Sequence, residues 1–155
     1  MKTGFVMVLL AISIVMQSSA LFASNSSELR AEADQYYTDN NFRKAYKIYY
    51  KLAKTGDHHS QGRVAHMFAN GEGKSVDLTE AYAWSVLAEE GGEKYVTESS
   101  EDLLQRTGNQ AEANEEALKL MEKYGREAMK EKALRRAEQD RARRSGNSMG
   151  SNLSR

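Results

Sequence analysis

Few side chains in this sequence could do chemistry, and their spacing decides which kind. The only histidines are His58, His59 and His66. His59 and His66 stand seven apart, which puts two imidazoles on one helix face, as a transition-metal site requires. The chain has no cysteine, and no carboxylate stands at a ligand spacing such as HExxH. The histidines are therefore expected to be solvated or to face a groove, with no metal bound. Asn70-Gly71-Glu72-Gly73 holds a GxG ahead of a helix. A dinucleotide fingerprint needs a strand before that turn, and a helix precedes it here. The glycines read as turn residues, and no cofactor is expected. Tyr36, Tyr37, Tyr46, Tyr49 and Tyr50 form a local cluster. Packing between helices is the reading for Tyr36 and Tyr49, whereas Tyr46 and Tyr50 could equally line a groove, where tyrosine gives rigid amphipathic contact area. No nucleophile–base pair and no paired carboxylates can be assembled. Catalysis, for example by a hydrolase domain, is the weaker reading, and binding is expected.

The elements that would position these residues are helical. Leu29, Ala33, Tyr36 and Tyr37 recur at spacings of three and four up to about Thr38, behind Ser26 or Ser27 as N-cap. A second helix is expected from Phe42 to about Thr55, with Phe42, Ala45, Tyr49, Leu52 and Ala53 as its buried stripe and Gly56 closing it. A third runs from near Asp57 to Asn70 and carries Gly62, which is unfavourable inside a helix by about 1 kcal/mol relative to alanine unless another backbone approaches. After the loop at Asn70–Gly73, Asp77 caps a fourth helix, with Glu80 three residues later completing a capping box. Ala81, Trp84, Val86, Leu87 and Ala88 carry that helix inward, and Gly91-Gly92 ends it.

Within this hairpin, Gly56, Gln61, Phe68, Gly71, Gly73, Asp77, Ala81, Trp84, Ala88 and Gly91 match in order and spacing the Sel-one-like repeat, a relative of the tetratricopeptide repeat. The chain resembles that family over residues 56–91. It departs from the pattern at Ser60, Val64, Ala65, Lys74 and Glu80, and Phe68 stands where the family has tyrosine. A weaker echo precedes it: Asp39, Lys44-Ala45, Tyr49, Ala53 and Gly56 are similar to the second half of another repeat. Ala45 and Ala81 are 36 residues apart, the length of one such unit. The resemblance implies an all-α stack of short helical hairpins, a partial unit at 27–55 and the full one at 56–91. It also implies a role in protein–protein interaction through a concave helical surface, with Trp84 in the interior. By helix phase, the partner is expected to meet Arg63, His66 and Met67, with Tyr46 and Tyr50 nearby.

The flanks differ in kind. Lys2 followed by the apolar run Phe5–Met16 and the small residues up to Ala20 and Ala23 has the layout of a cleavable signal peptide over residues 1–23. About 20 apolar residues are needed to span a bilayer, more than this run offers, so cleavage rather than an uncleaved anchor is expected. Export without cysteine suits a bacterial periplasm. A repeat domain over 24–110 should be followed by a poorer helix within 93–106 and a long helix over 111–144, whose Ala117, Leu118, Leu120, Met121 and Tyr124 seal the stack. Residues 145–155 are expected to be disordered by composition. Charge divides the same way: residues 24–125 carry 12 Lys and Arg against 18 Asp and Glu, and residues 126–155 carry 9 against 4. The basic segment Arg135-Arg136, Arg141, Arg143 and Arg144 lacks the interleaved aromatics of a nucleic-acid binder. A solvated helix is expected there, with weak attraction to an anionic membrane surface as the functional alternative.

Overall fold

The computed structural model describes residues 25–92 and 99–150. The expectations about the leader at 1–23, about residues 93–98 and about 151–155 lie outside the described residues. Among the described residues every regular element is an α-helix: α1 (25–38), α2 (Phe42–Ala53), α3 (His58–Asn70), α4 (Leu78–Glu90), α5 (Ser100–Arg106), α6 (Gln110–Tyr124) and α7 (Arg126–Gly150).

The helix ends follow local chemistry. The Asp57 carboxylate accepts the Ser60 amide at 2.8 Å at the start of α3, and Gly71, in the left-handed region at φ 73°, closes the same helix by donating to Met67 O. Asp77 accepts the Glu80 amide at 3.0 Å to open α4. The reciprocal half of the expected capping box is not made. The Glu80 carboxylate turns along the helix instead and accepts the Trp84 indole N–H at 2.9 Å. The loop joining α3 to α4 needs glycine at residue 73, where φ is +75° and a Cβ would lie 2.5 Å from the carbonyl oxygen of Phe42.

α4 is the centre of the molecule. Its buried residues Ala81, Ala83, Trp84, Ser85, Leu87 and Ala88 are not confined to one stripe, which marks a helix covered on several sides. α3 packs on one side and α6 on another. α2 joins through Ala45, Tyr49, Leu52 and Ala53, and α1 through Ala33. α6 closes the far side with Ala113, Ala117 and Leu120, and Met121 and Tyr124 pack partly buried beside them. Leu118, expected in that seal, faces solvent at 67% exposure.

The expected single helix over 111–144 is two helices. At buried Gly125 the backbone turns extended (ψ 166°), and α7 starts afresh at Arg126. The Arg126 amide is satisfied by the Glu90 carboxylate at 3.0 Å, and its guanidinium donates to Glu90 O. The break is therefore tied to the end of α4. α7 continues to Gly150, into the segment expected to be disordered, and its residues 130–143 are all exposed.

Candidate aromatic cleft

Tyr46 and Tyr50 lie one turn apart on α2, and their rings stack at 5.4 Å between centroids with 19° between planes. The C-terminal end of α3 brings Phe68 edge-on to Tyr46 at 5.7 Å. Tyr50 meets the ring of Trp84 at 5.6 Å and 68°. With the α3–α4 loop as its other wall, this set bounds an open cleft of about 730 Å³, also lined by Arg43, Lys74, Asp77 and Glu80.

Two ammonium groups of the chain already sit on these rings. Lys74 Nζ is 5.7 Å from the Tyr46 centroid and Lys54 Nζ is 4.5 Å from that of Tyr50. Both distances are within cation–π range. Burial raises the pKa of the Tyr46 and Tyr50 hydroxyls, so both stay neutral donors.

Glu80 is the charged group of the cleft floor. Among the described residues its carboxylate takes one hydrogen bond, from the Trp84 indole, and forms no ion pair. Burial raises its pKa above the usual carboxylate value; the indole hydrogen bond acts the other way, and the negative charges of Glu116 and Asp77 push it further up. On the α6 side a smaller trough of about 320 Å³ shares Asp77 and Glu80 and adds Glu112, Glu115, Glu116 and Lys119. Lys119 is engaged with Glu115 at 2.9 Å and Glu116 at 3.5 Å.

The five residues expected to meet a partner are divided by the fold. Tyr46 and Tyr50 line the cleft. Arg63 and His66 do not: they join a polar network where α1 meets α3. Arg63 lies 4.0 Å from the Asp34 carboxylate and 5.2 Å from the Tyr37 ring centroid. Tyr37 donates to Glu72 at 2.8 Å, and His66 approaches the same carboxylate at 3.7 Å. Burial, helped by Glu72, pushes the Tyr37 hydroxyl up to about 12. Tyr49 donates to Asp34 from beneath. Met67 is wholly buried and offers a partner no surface. α1 contacts the face that helix phase had assigned to the groove and leaves Arg63 and His66 partly exposed.

The repeat-pattern residues hold structural positions. Gln61 is fully buried and donates to Ala53 O at 3.1 Å, while its carbonyl oxygen meets His58 Nδ1 at 2.8 Å. His58 also reaches Leu87 O at 3.2 Å and lies under Gly91, where a Cβ would come within 2.0 Å of its ring. Ala81, Trp84 and Ala88 are fully buried, Phe68 is nearly so, and Gly56 sits in the left-handed turn between α2 and α3. No group of three or more His, Asp or Glu side chains among the described residues is placed to hold a metal.

Sequence reasoning passed over Glu80, Lys74 and Arg43 as cleft residues. For Glu80 a signal was present: it stands four residues before Trp84, the spacing that puts a carboxylate beside an indole on one helix face. Comparisons with protein-family models, curated proteins and solved structures give no significant match.

Proposed function

We propose that the chain is an exported protein–protein interaction module of the Sel-one-like repeat type. In this reading two helical hairpins, residues 27–55 and 56–91, are sealed by α6, hold a partner protein and catalyse nothing. One observation carries it: the residues of the repeat pattern are those that join the hairpins. Gly73 admits the Phe42 carbonyl, Gln61 donates to Ala53 O, and Trp84 fills the space between α2, α4 and α6. Solenoid units of this kind bury their faces against neighbours and leave a side-chain-lined surface for a partner. The open aromatic cleft at Tyr46 and Tyr50 is the surface that suits this use best, because half-buried aromatic anchors dominate binding energy at protein interfaces.

The apolar run at Phe5–Met16 supports export behind a cleaved leader, and the absence of cysteine suits a bacterial periplasm as the destination in this reading. No helix among the described residues is long and apolar enough to cross a membrane. Affinity capture from envelope extract tests the reading. The full chain should retain a discrete partner, and Tyr46→Ala should lose it while helical circular dichroism is unchanged. Capture of nothing by the unaltered chain would dismiss the module.

A second reading has an observation of its own. α7 exposes Lys130, Arg135, Arg136, Arg141 and Arg143 beyond the body, the arrangement by which basic helices attach to anionic lipid surfaces. Sedimentation with phosphatidylglycerol vesicles, compared with phosphatidylcholine vesicles, separates this role from partner capture.

A further inference from the structure

We infer that the aromatic cleft recognises a cationic side chain, an arginine or lysine, on an exposed basic segment of the partner protein. The inference rests on the module reading above and names the chemistry of its contact.

Three independent features point to a cation. The first is the wall: the stacked pair Tyr46 and Tyr50, with Phe68 edge-on to Tyr46, lines the opening. One of these rings already attracts a cation at the cleft, since Lys74 of the chain itself lies over Tyr46; Lys54 lies over Tyr50 from outside the cleft lining. The second is the floor. Glu80 is half-buried, carries a single hydrogen bond from a neutral donor, and makes no close ion pair among the described residues, Lys74 acting on it only from beyond ion-pair distance. A carboxylate held this way is costly until a positive group arrives, and a charge-assisted hydrogen bond to it is about twice as strong as a neutral one. The third is the surroundings. The cleft runs on through Asp77 and Glu80 into the trough of Glu112, Glu115 and Glu116, where only Lys119 offsets the negative charge. A peptide with one cation over the tyrosines and a second a few residues away would meet complementary charge at both points.

Arg43 and Lys74 stand on the loop side of the cleft, and their positions set the order of events. Lys74 lies on the exposed α3–α4 loop, reaches the Tyr46 ring and acts electrostatically on Glu80. It occupies the place an incoming cation would take, and the partner displaces it. Removing Lys74 should therefore tighten binding, the opposite of what a generic contact residue would do.

The test uses the full chain lacking residues 1–23 and fluorescein-labelled Gly/Ser peptides carrying two arginines, two lysines or two citrullines, read by anisotropy at 150 mM salt. Citrulline keeps the shape of arginine without its charge. The arginine and lysine peptides should bind at least about tenfold more tightly than the citrulline peptide. Glu80→Gln and Tyr46→Ala should each cost about tenfold, Tyr46→Phe should preserve binding, and Lys74→Ala should improve it. Near-equal binding of the citrulline peptide, or cationic-peptide binding that ignores Glu80→Gln, would overturn the inference. Circular dichroism of each variant separates lost contact from lost fold. If the peptides fail while the chain still captures a protein that Tyr46→Ala releases, cation recognition is wrong and the module stands; if capture fails as well, the module falls with it.

Discussion

Trp84 is the largest fully buried side chain and joins three helices. It meets Tyr50 edge-on, stacks on Tyr124 at 5.7 Å and 18°, and gives its indole N–H to Glu80. Truncating such a residue removes a large apolar area and leaves a cavity, at a cost of about 3–5 kcal/mol. Trp84→Ala should abolish the cooperative melting of helical circular dichroism near 25 °C; an unchanged melting curve would refute its role in the core. Glu80 beside it works against stability. Its pKa is raised in the folded chain, chiefly by burial, so the folded state binds this proton more tightly than the unfolded state does. Its contribution is then most favourable below the unfolded pKa and is lost as pH rises through the folded one. Glu80→Gln keeps an acceptor for the indole and removes the charge. It should raise Tm at pH 7, and the gain should shrink as pH falls below the ordinary carboxylate value. The same substitution should weaken binding of a cationic peptide. Stability given up at a site that binds is a familiar exchange in proteins.

At the scale of elements, much of the fold could be read from the sequence. Asp57 and Asp77 sit where a side-chain cap must sit, and Gly71 ends α3 as its position implied. The break at Gly125 could not be read. Nothing near that glycine interrupts helical periodicity, and the reason for the break lies on α4, whose Glu90 takes over the Arg126 amide. A contact across 36 positions leaves no local mark. The site was legible by halves for a similar reason. The spacing of Tyr46 and Tyr50 showed one helix face, but how the open face of α3 is used depends on where α1 lies, and α1 ties Arg63 and His66 into a polar network through Asp34 and Tyr37. Two glycines measure how far tertiary contact adds to backbone preference. Gly73 and Gly92 have nearly equal positive φ, 75° and 78°, but a Cβ at Gly92 meets nothing within 4 Å among the described residues and one at Gly73 meets the Phe42 carbonyl. Gly92→Ala should cost about 1 kcal/mol, the penalty of the left-handed conformation alone. Gly73→Ala should cost more, about 2–3 kcal/mol, because the α3–α4 loop must also move off α2. Chemical denaturation of the two variants checks the order, and equal losses would mean that the loop is free to shift.

The molecule as a whole divides into a packed body and a projecting helix, and the division follows charge. The body is acidic and the segment from Arg126 onward is basic. A charged, fully exposed helix contributes little to a core, because exposed i,i+4 pairs such as Glu131 with Arg135 give about 0.2–0.5 kcal/mol each. Among the described residues α7 meets the body over its first three turns: Met129 lies against Gly56, Lys132 donates to Lys123 O and lies over the Tyr124 ring, and Arg136 shares a trough with Lys54. Ending the chain after Ala137 should therefore leave Tm within about 2 °C of the full chain, a shift that for a domain this size corresponds to well under 1 kcal/mol. Ending it after Gly108 is a different experiment. It removes α6, and with it Ala113, Ala117, Leu120 and the Tyr124 ring that covers Trp84. Burying one leucine contributes about 1.5–3 kcal/mol, and losing all four groups leaves one side of α4 bare. A domain with about 5–15 kcal/mol in total cannot lose that much and stay folded. The chain ending at Gly108 should melt without a cooperative transition while the one ending at Ala137 behaves as the intact chain. If instead the chain ending at Gly108 melted cooperatively near the original Tm, the hairpins would be sufficient by themselves and α6 an accessory rather than the cap of the stack.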